Sequence, residues 1–150
     1  MHFSRINEEA TIENAKKFLS EYRHYHRIEL RSVIALQSPV ISGMPSGDSK
    51  GNSNEDKVIS HLDAQAYCAT CRHAIEAIEG DTYRKILSET YIKPVYNDDL
   101  IMSDVGLEHS RFYDVKNDAL IAFAEICPPI PDIKNPDDVA TIDLLVYKSG

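Results

Sequence analysis

Between Phe112 and Ala124 the apolar residues Phe112, Val115, Ala119, Leu120, Phe123 and Ala124 recur at spacings of three, four, one, three and one. That is the stripe of a helix with one buried face. Just upstream, LIMSDV reads as a shorter helix and Gly106-Leu107 as a tight turn, so residues 98–126 have the layout of a helix-turn-helix. Two ordinary core helices joined by a glycine turn have the same layout. Gly106 supplies the positive φ that a steep change of direction needs, and Leu107 plugs the corner. Of Glu108, His109 and Ser110, the serine is the best N-cap by its chemistry. Pro128-Pro129-Ile130-Pro131 ends the longer helix.

The same reading places a first helix at 8–29, with Ile12, Ala15, Leu19, Tyr22 and His26 on one stripe. Thr11 with Asn14 makes a poor capping box, while Glu8, Glu9 and Glu13 sit well near a helix amino end. From Leu36 to Asn54 the composition turns to Gly, Ser, Pro and Asn, which reads as a flexible linker. Asn54 then caps a second helix over 55–79, with Val58, Leu62, Ala66, Ala69, His73 or Ile75, and Ile78 as its apolar stripe and Gly80 as its end. A third helix at 81–92 carries Tyr83, Ile86, Leu87 and Tyr91 on one side and stops at Pro94. Residues 144–148, LLVYK, form the one β-like run, which needs a partner within this chain or in another. The expected fold is all-α, with a carboxyl-terminal helix-turn-helix and at most one short β-strand near the end. Its parts are an amino-terminal helical arm (1–35), a linker (36–54), a helical domain (55–127, helix-turn-helix 98–126) and a tail (128–150).

A length of 150 residues bounds the chain to one cored domain, or a small domain plus an arm. With 43% hydrophobic and 27% charged residues it has the composition of a folded protein, and without Trp the core must come from Leu, Ile, Val, Phe and Tyr. No apolar run approaches the roughly 20 residues of a membrane span, and MHFSRINEEA has no apolar signal region. A cytoplasmic protein without membrane contact is expected. Three Cys, an odd number, read as reduced thiols.

Charge changes the picture most. The net charge is −8, whereas affinity for nucleic acid comes largely from Lys and Arg meeting phosphates. Any DNA contact must therefore come from a local patch. On the longer helix His109, Ser110, Arg111, Tyr113, Asp114, Lys116 and Asn117 are candidates for the outward face. There Arg and Asn bond base edges bidentately, and Tyr or Lys reaches phosphate. Residues 80–125 hold five Lys or Arg against nine Asp or Glu, and Asp114 and Asp118 lie on the helix that would approach DNA. A second candidate surface is YRHYHRIELR at 22–31, where Arg23, His26, Arg27 and Arg31 alternate with aromatics. A solvated helix end with cations near its carboxyl terminus explains that string equally well.

Cys68 and Cys71, with His61 and His73 nearby, raise a zinc reading. Residues three apart on a helix converge poorly, and small buried side chains along a stripe account for the pair better. No metal site and no cofactor are expected. No nucleophile elbow, phosphate loop or HExxH string occurs, so no enzyme is expected.

Four strings together, NAKKFLSEYRHYHRI at 14–28, SPVISGMPSGDSKGNSNEDKVISHLDA at 38–64, DTYRKILSETYI at 81–92 and VGLEHSRFYDVKNDALIAFAEI at 105–126, resemble the ArpU family of phage transcriptional regulators. The resemblance implies a helix-turn-helix similar to region 4 of sigma factors. In it Arg84-Lys85-Ile86-Leu87 belongs to a supporting helix, with Arg84 and Lys85 among the DNA contacts, and the helix from His109 enters the major groove. It further implies activation of late phage genes for packaging, morphogenesis and lysis, with promoter DNA and host RNA polymerase as partners in the host cytoplasm. The chain departs from the family pattern at Asp114 and Asn117-Asp118, where members tend to carry Lys or Arg. A homo-oligomer is expected, since one recognition helix rarely gives enough specificity alone. The rival reading is an adaptor or antirepressor that binds a basic protein partner through its acidic surface and touches no DNA.

Overall fold

The computed structural model describes residues 6–37, 61–93, 97–131 and 141–148. The expected linker beyond Gln37, the Asn54 cap, Val58 and Pro94 lie outside them. Among the described residues six α-helices run in chain order: α1 (Glu8–Ser20), α2 (Tyr22–Gln37), α3 (His61–Ala77), α4 (Asp81–Leu87), α5 (Asp98–Val105) and α6 (His109–Ile126). A π-helical turn, Ser88–Ile92, continues α4. Two-residue strands β1 (Ile130–Pro131) and β2 (Thr141–Ile142) pair antiparallel, Ile130 opposite Ile142 and Pro131 opposite Thr141. The fold is all-α, as expected, with two such strands near the end in place of the one expected. Among the described residues no helix is long and apolar enough to cross a membrane.

The expected single helix at 8–29 is two helices. Asn7, in extended conformation, caps α1 by accepting the Ala10 backbone N–H at 3.1 Å, with Glu8 and Glu9 in the favourable first turn. At Glu21 the backbone N–H turns to the Phe18 carbonyl (3.3 Å), a tight 3₁₀-type closure. Beyond this break α1 packs on α6, whereas α2 packs on α3. Elements from both sides of the 38–60 segment thus share one core.

That core centres on Phe and Tyr. Phe18 and Tyr67 stack at 4.4 Å between ring centroids, Tyr25 meets Tyr67 at 4.3 Å, and Phe123 lies 6.0 Å from Phe18. The buried Tyr67 hydroxyl donates to the Phe18 carbonyl at 2.6 Å, which satisfies it without water. Burial pushes its pKa far above the ordinary range. On α3 the buried positions are Ala64, Tyr67, Cys68, Cys71, Ala74 and Ile75. Of the expected stripe Ile75 and Ile78 are buried, whereas Leu62 is 71% exposed and Ala66 and His73 face solvent. Apolar residues lie on both sides of this helix, and the side carrying Tyr67 turns inward against Phe18 of α1 and Tyr25 of α2.

The carboxyl-terminal run at 144–148 does not form the expected strand. It docks as irregular backbone on the start of α1, within the same chain. The Asn7 N–H donates to the Val146 carbonyl (2.8 Å), the Val146 N–H donates to Thr11 Oγ1 (3.0 Å), and Asn14 Nδ2 donates to the Leu144 carbonyl (3.3 Å). Tyr147 bridges to Ile6. Thr11 and Asn14 are thus clasp residues and not a capping box. The hydroxyl of the fully buried Thr11 also donates to the Val146 carbonyl at 3.4 Å. Leu144 closes the side of the main core.

Candidate nucleic-acid interface

A second, smaller core holds α4, α5 and the first half of α6 together. Its buried members are Ile86, Ile101, Met102, Phe112 and Val115, with Tyr83, Val105 and Leu107 packed around them. The remaining buried stripe of α6, Ala119, Leu120, Phe123 and Ala124, belongs to the main core. All six apolar positions expected on this helix are buried.

The turn between α5 and α6 follows from its residues. Asn97 caps α5 by accepting the Asp99 N–H at 2.8 Å. At the other end Gly106 adopts φ 73°, ψ 34°. The Leu107 N–H bonds the Met102 carbonyl (3.0 Å) and the Gly106 N–H bonds the Ser103 carbonyl (3.3 Å). These are the two bonds of a Schellman motif, and its usual apolar contact is made by Leu107 and Met102 in the small core. A Cβ on Gly106 would meet nothing within 4 Å, so glycine is required by backbone conformation and not by space.

The N-cap of α6 is Glu108, not the expected Ser110. It has extended backbone and makes no side-chain capping bond. Its carbonyl already takes the Phe112 N–H at 2.8 Å, so the helix begins two residues before serine could cap it. The first turn carries no acidic residue, and His109, Ser110 and Arg111 are all exposed there. The first backbone N–H groups of a helix have no intrahelical acceptor, and the macrodipole is positive at that end.

The other sequence-named residues are more constrained. Tyr113 is exposed, yet its hydroxyl donates to Asp98 Oδ2 at 2.9 Å, and this bond to a carboxylate raises its pKa. The ring also meets His109 edge-on at 5.1 Å. Lys116 is half-buried with Nζ 5.9 Å from the Tyr91 ring centroid. Burial lowers its pKa, and nearby Asp98 opposes that shift. Asn117 is half-buried beside it. On α4, Arg84 is held by the Ile78 carbonyl and by Asp81, and Lys85 Nζ lies 3.7 Å from Asp104. Asp104 and Glu89 together line an open groove of about 510 Å³ with Lys93, Leu100 and Ser103. Burial, then a hydrogen bond shared with Asp104, raises the Glu89 pKa.

The geometry thus gathers His109, Ser110, Arg111 and Tyr113 at one helix end, turns Lys116 and Asn117 partly inward, and gives Arg84 and Lys85 acidic partners. Sequence reading missed Asp98 as the hub for Tyr113 and Lys116, because 15 residues separate it from the tyrosine. The second basic string fares differently. Arg27 and Arg31 are exposed, Arg23 and His26 are half-buried, but Tyr22 and Tyr25 are core residues with 2% and 1% exposure. The aromatics that made it look like a stacking surface are therefore not offered to a ligand. Cys68, Cys71 and Cys127 are all buried free thiols. Burial pushes Cys68 up to about 12 and Cys127 up to about 11. His73 points to solvent, and no cluster of Cys68 and Cys71 with His61 or His73 forms among the described residues.

No family model matches the chain, and no solved structure matches it. Two curated proteins do. One from Enterococcus hirae, named "Putative autolysin regulatory protein ArpU", is 32% identical over 113 residues, which cover 75% of this chain and 82% of that protein. A protein of the same name from Streptococcus phage O1205 is 27% identical over 128 residues, or 84% of this chain and 93% of the relative. Both are named as regulatory proteins. On the strength of that identity and coverage, the chain belongs to the ArpU family.

Proposed function

We propose that the chain is a sequence-specific DNA-binding transcriptional regulator of a phage or prophage. In this reading α4, α5 and α6 act as a helix-turn-helix similar to region 4 of sigma factors, and the first half of α6 enters the major groove of promoter DNA. The observation that carries it is the uncapped first turn of α6, presented with His109, Ser110 and Arg111 exposed. Free N–H groups and a positive dipole end suit a phosphate, and an Arg in that first turn suits a guanine edge. Lys116 and Asn117 flank that contact. Arg84, Lys85 and the Tyr113 hydroxyl reach the DNA backbone on leaving Asp81, Asp104 and Asp98.

With a net charge of −8 the protein repels DNA at long range. Host RNA polymerase and a second copy of the chain supply the rest of the affinity, in the host cytoplasm. The relatives' name as autolysin regulators fits lysis genes, among the late genes, as targets.

Footprinting on the phage DNA, with and without polymerase, tests this. Arg111→Ala is expected to weaken a specific footprint by about 1–3 kcal/mol while leaving the helical circular dichroism intact. A footprint unchanged by Arg111→Ala removes α6 from the role. The acidic partners of Arg84, Lys85 and Tyr113 favour a second reading, a protein-interaction module such as an adaptor or antirepressor. Salt separates the two: a phosphate-contacting regulator loses affinity steeply as salt rises, and an adaptor shows no specific DNA binding at any salt.

A further inference from the structure

We propose that His26 and Glu29 of α2 and Cys68 of α3 form a zinc site that clamps these two helices together. One donor atom from each, an imidazole nitrogen, a carboxylate oxygen and a thiol sulfur, all lie within 4.8 Å of one another. His26 Nδ1 and Glu29 Oε1 are already 3.1 Å apart. Zinc bonds of roughly 2.0–2.3 Å draw such donors into a tetrahedron after side-chain shifts of about 1 Å. The mixed sulfur, nitrogen and oxygen set is the borderline-soft combination that zinc accepts and that magnesium and calcium do not.

The surroundings fit a three-ligand site with one open position. Cys68 is fully buried, and its thiol donates weakly to the Tyr22 carbonyl at 3.8 Å. The Glu29 side chain is 14% exposed and that of His26 is 39% exposed, so water reaches the fourth position from the imidazole side. The Tyr22 ring stacks on His26 at 5.5 Å and orients it. Arg72, bonded to the Tyr22 hydroxyl at 2.8 Å and near enough to Glu29 to interact with it, is a like charge that holds the affinity down. On binding, a sulfur–zinc bond replaces the sulfur–hydrogen bond, the thiol proton leaves to solvent, and zinc gives up coordinated water for the three ligands. No electron changes hands.

The test is a titration of the metal-free full chain with cobalt(II) as the visible stand-in for zinc. The expected result is a thiolate-to-cobalt charge-transfer band with the visible bands of four-coordinate cobalt, saturating at one metal per chain and reversed by zinc. Cys68→Ser removes the charge-transfer band, and Cys71→Ser, a buried thiol outside the set, keeps it. Because Cys68 is a core residue, the half-exposed His26→Gln provides the fold-safe variant. It weakens cobalt binding by at least about tenfold and abolishes the rise in melting temperature that zinc gives the parent chain. No charge-transfer band, or one that survives His26→Gln undiminished, overturns the proposal.

Discussion

The main core and the small core are built to different tolerances. Among the described residues the main one joins twenty buried residues from α1, α2, α3, the end of α4 and its π turn, the second half of α6 and the tail, whereas the small one joins five from α4, α5 and the first half of α6. With five members each carries a large share of the cohesion, at roughly 1.5–3 kcal/mol of burial per large side chain. α6 is common to both: its second half is anchored in the larger core, and its first half projects as the wall of the smaller. The candidate interface is thus rooted in a firm body but shaped by a lightly cored tip, the arrangement in which local opening is separable from global unfolding.

Truncating a phenylalanine in each core is the strongest way to break that comparison. Phe112→Ala and Phe123→Ala each remove a fully buried ring, at a cost of about 3–5 kcal/mol. Phe123→Ala is expected to lower the melting temperature of the whole chain. Phe112→Ala instead exposes the amides of α5 and early α6 to hydrogen exchange while α1 and α3 stay protected. If exchange rises equally everywhere in Phe112→Ala, the two cores are one cooperative unit.

Gly106→Ala acts at the turn alone. It forces a β-carbon into the left-handed region, which costs about 1–2 kcal/mol, and with open space around it no clash adds to this. Chemical denaturation should show that loss, and Gly106→Asn should recover part of it.

The smallest effect is electrostatic. Glu89 has a pKa raised above its ordinary 4.5 by burial and by the hydrogen bond with Asp104. The folded chain therefore holds that proton more tightly than the unfolded chain. Its contribution to stability is full below pH 4.5 and is lost as pH rises through the folded pKa. Glu89→Gln should flatten the stability profile over that window, measured by denaturation at a series of pH values, and an unchanged slope would put the proton elsewhere.

How much of this was legible depended on sequence distance. The α6 stripe and the Gly106 turn were readable because period, glycine and apolar neighbours all act within a few residues. The break at Glu21 was not, since neither Gly nor Pro marks it and the residues on both sides suit helix; packing on different partners decides it. On α3, apolar residues on two sides left the buried face to be chosen by α1 and α2. Arg111 could be named as an outward cation from helical spacing, but the partners of Tyr113, Lys85 and Lys116 are set by how α4 and α5 lie against α6. His26 and Glu29 lie one turn apart on α2, while Cys68 joins them only through the packing of α2 on α3.

The clasp between the tail and α1 bears on the order of folding. Thr11 and Val146 are 135 residues apart. Closing so long a loop from an open chain costs roughly 4 kcal/mol or more in entropy, whereas each of its few hydrogen bonds returns about 1 kcal/mol net. The bonds alone no more than balance that closure. Once the helices are packed, α1 and the chain beyond α6 are already neighbours and the remaining search is short. The clasp is accordingly a late seam, formed after the cores and first to part when the molecule breathes.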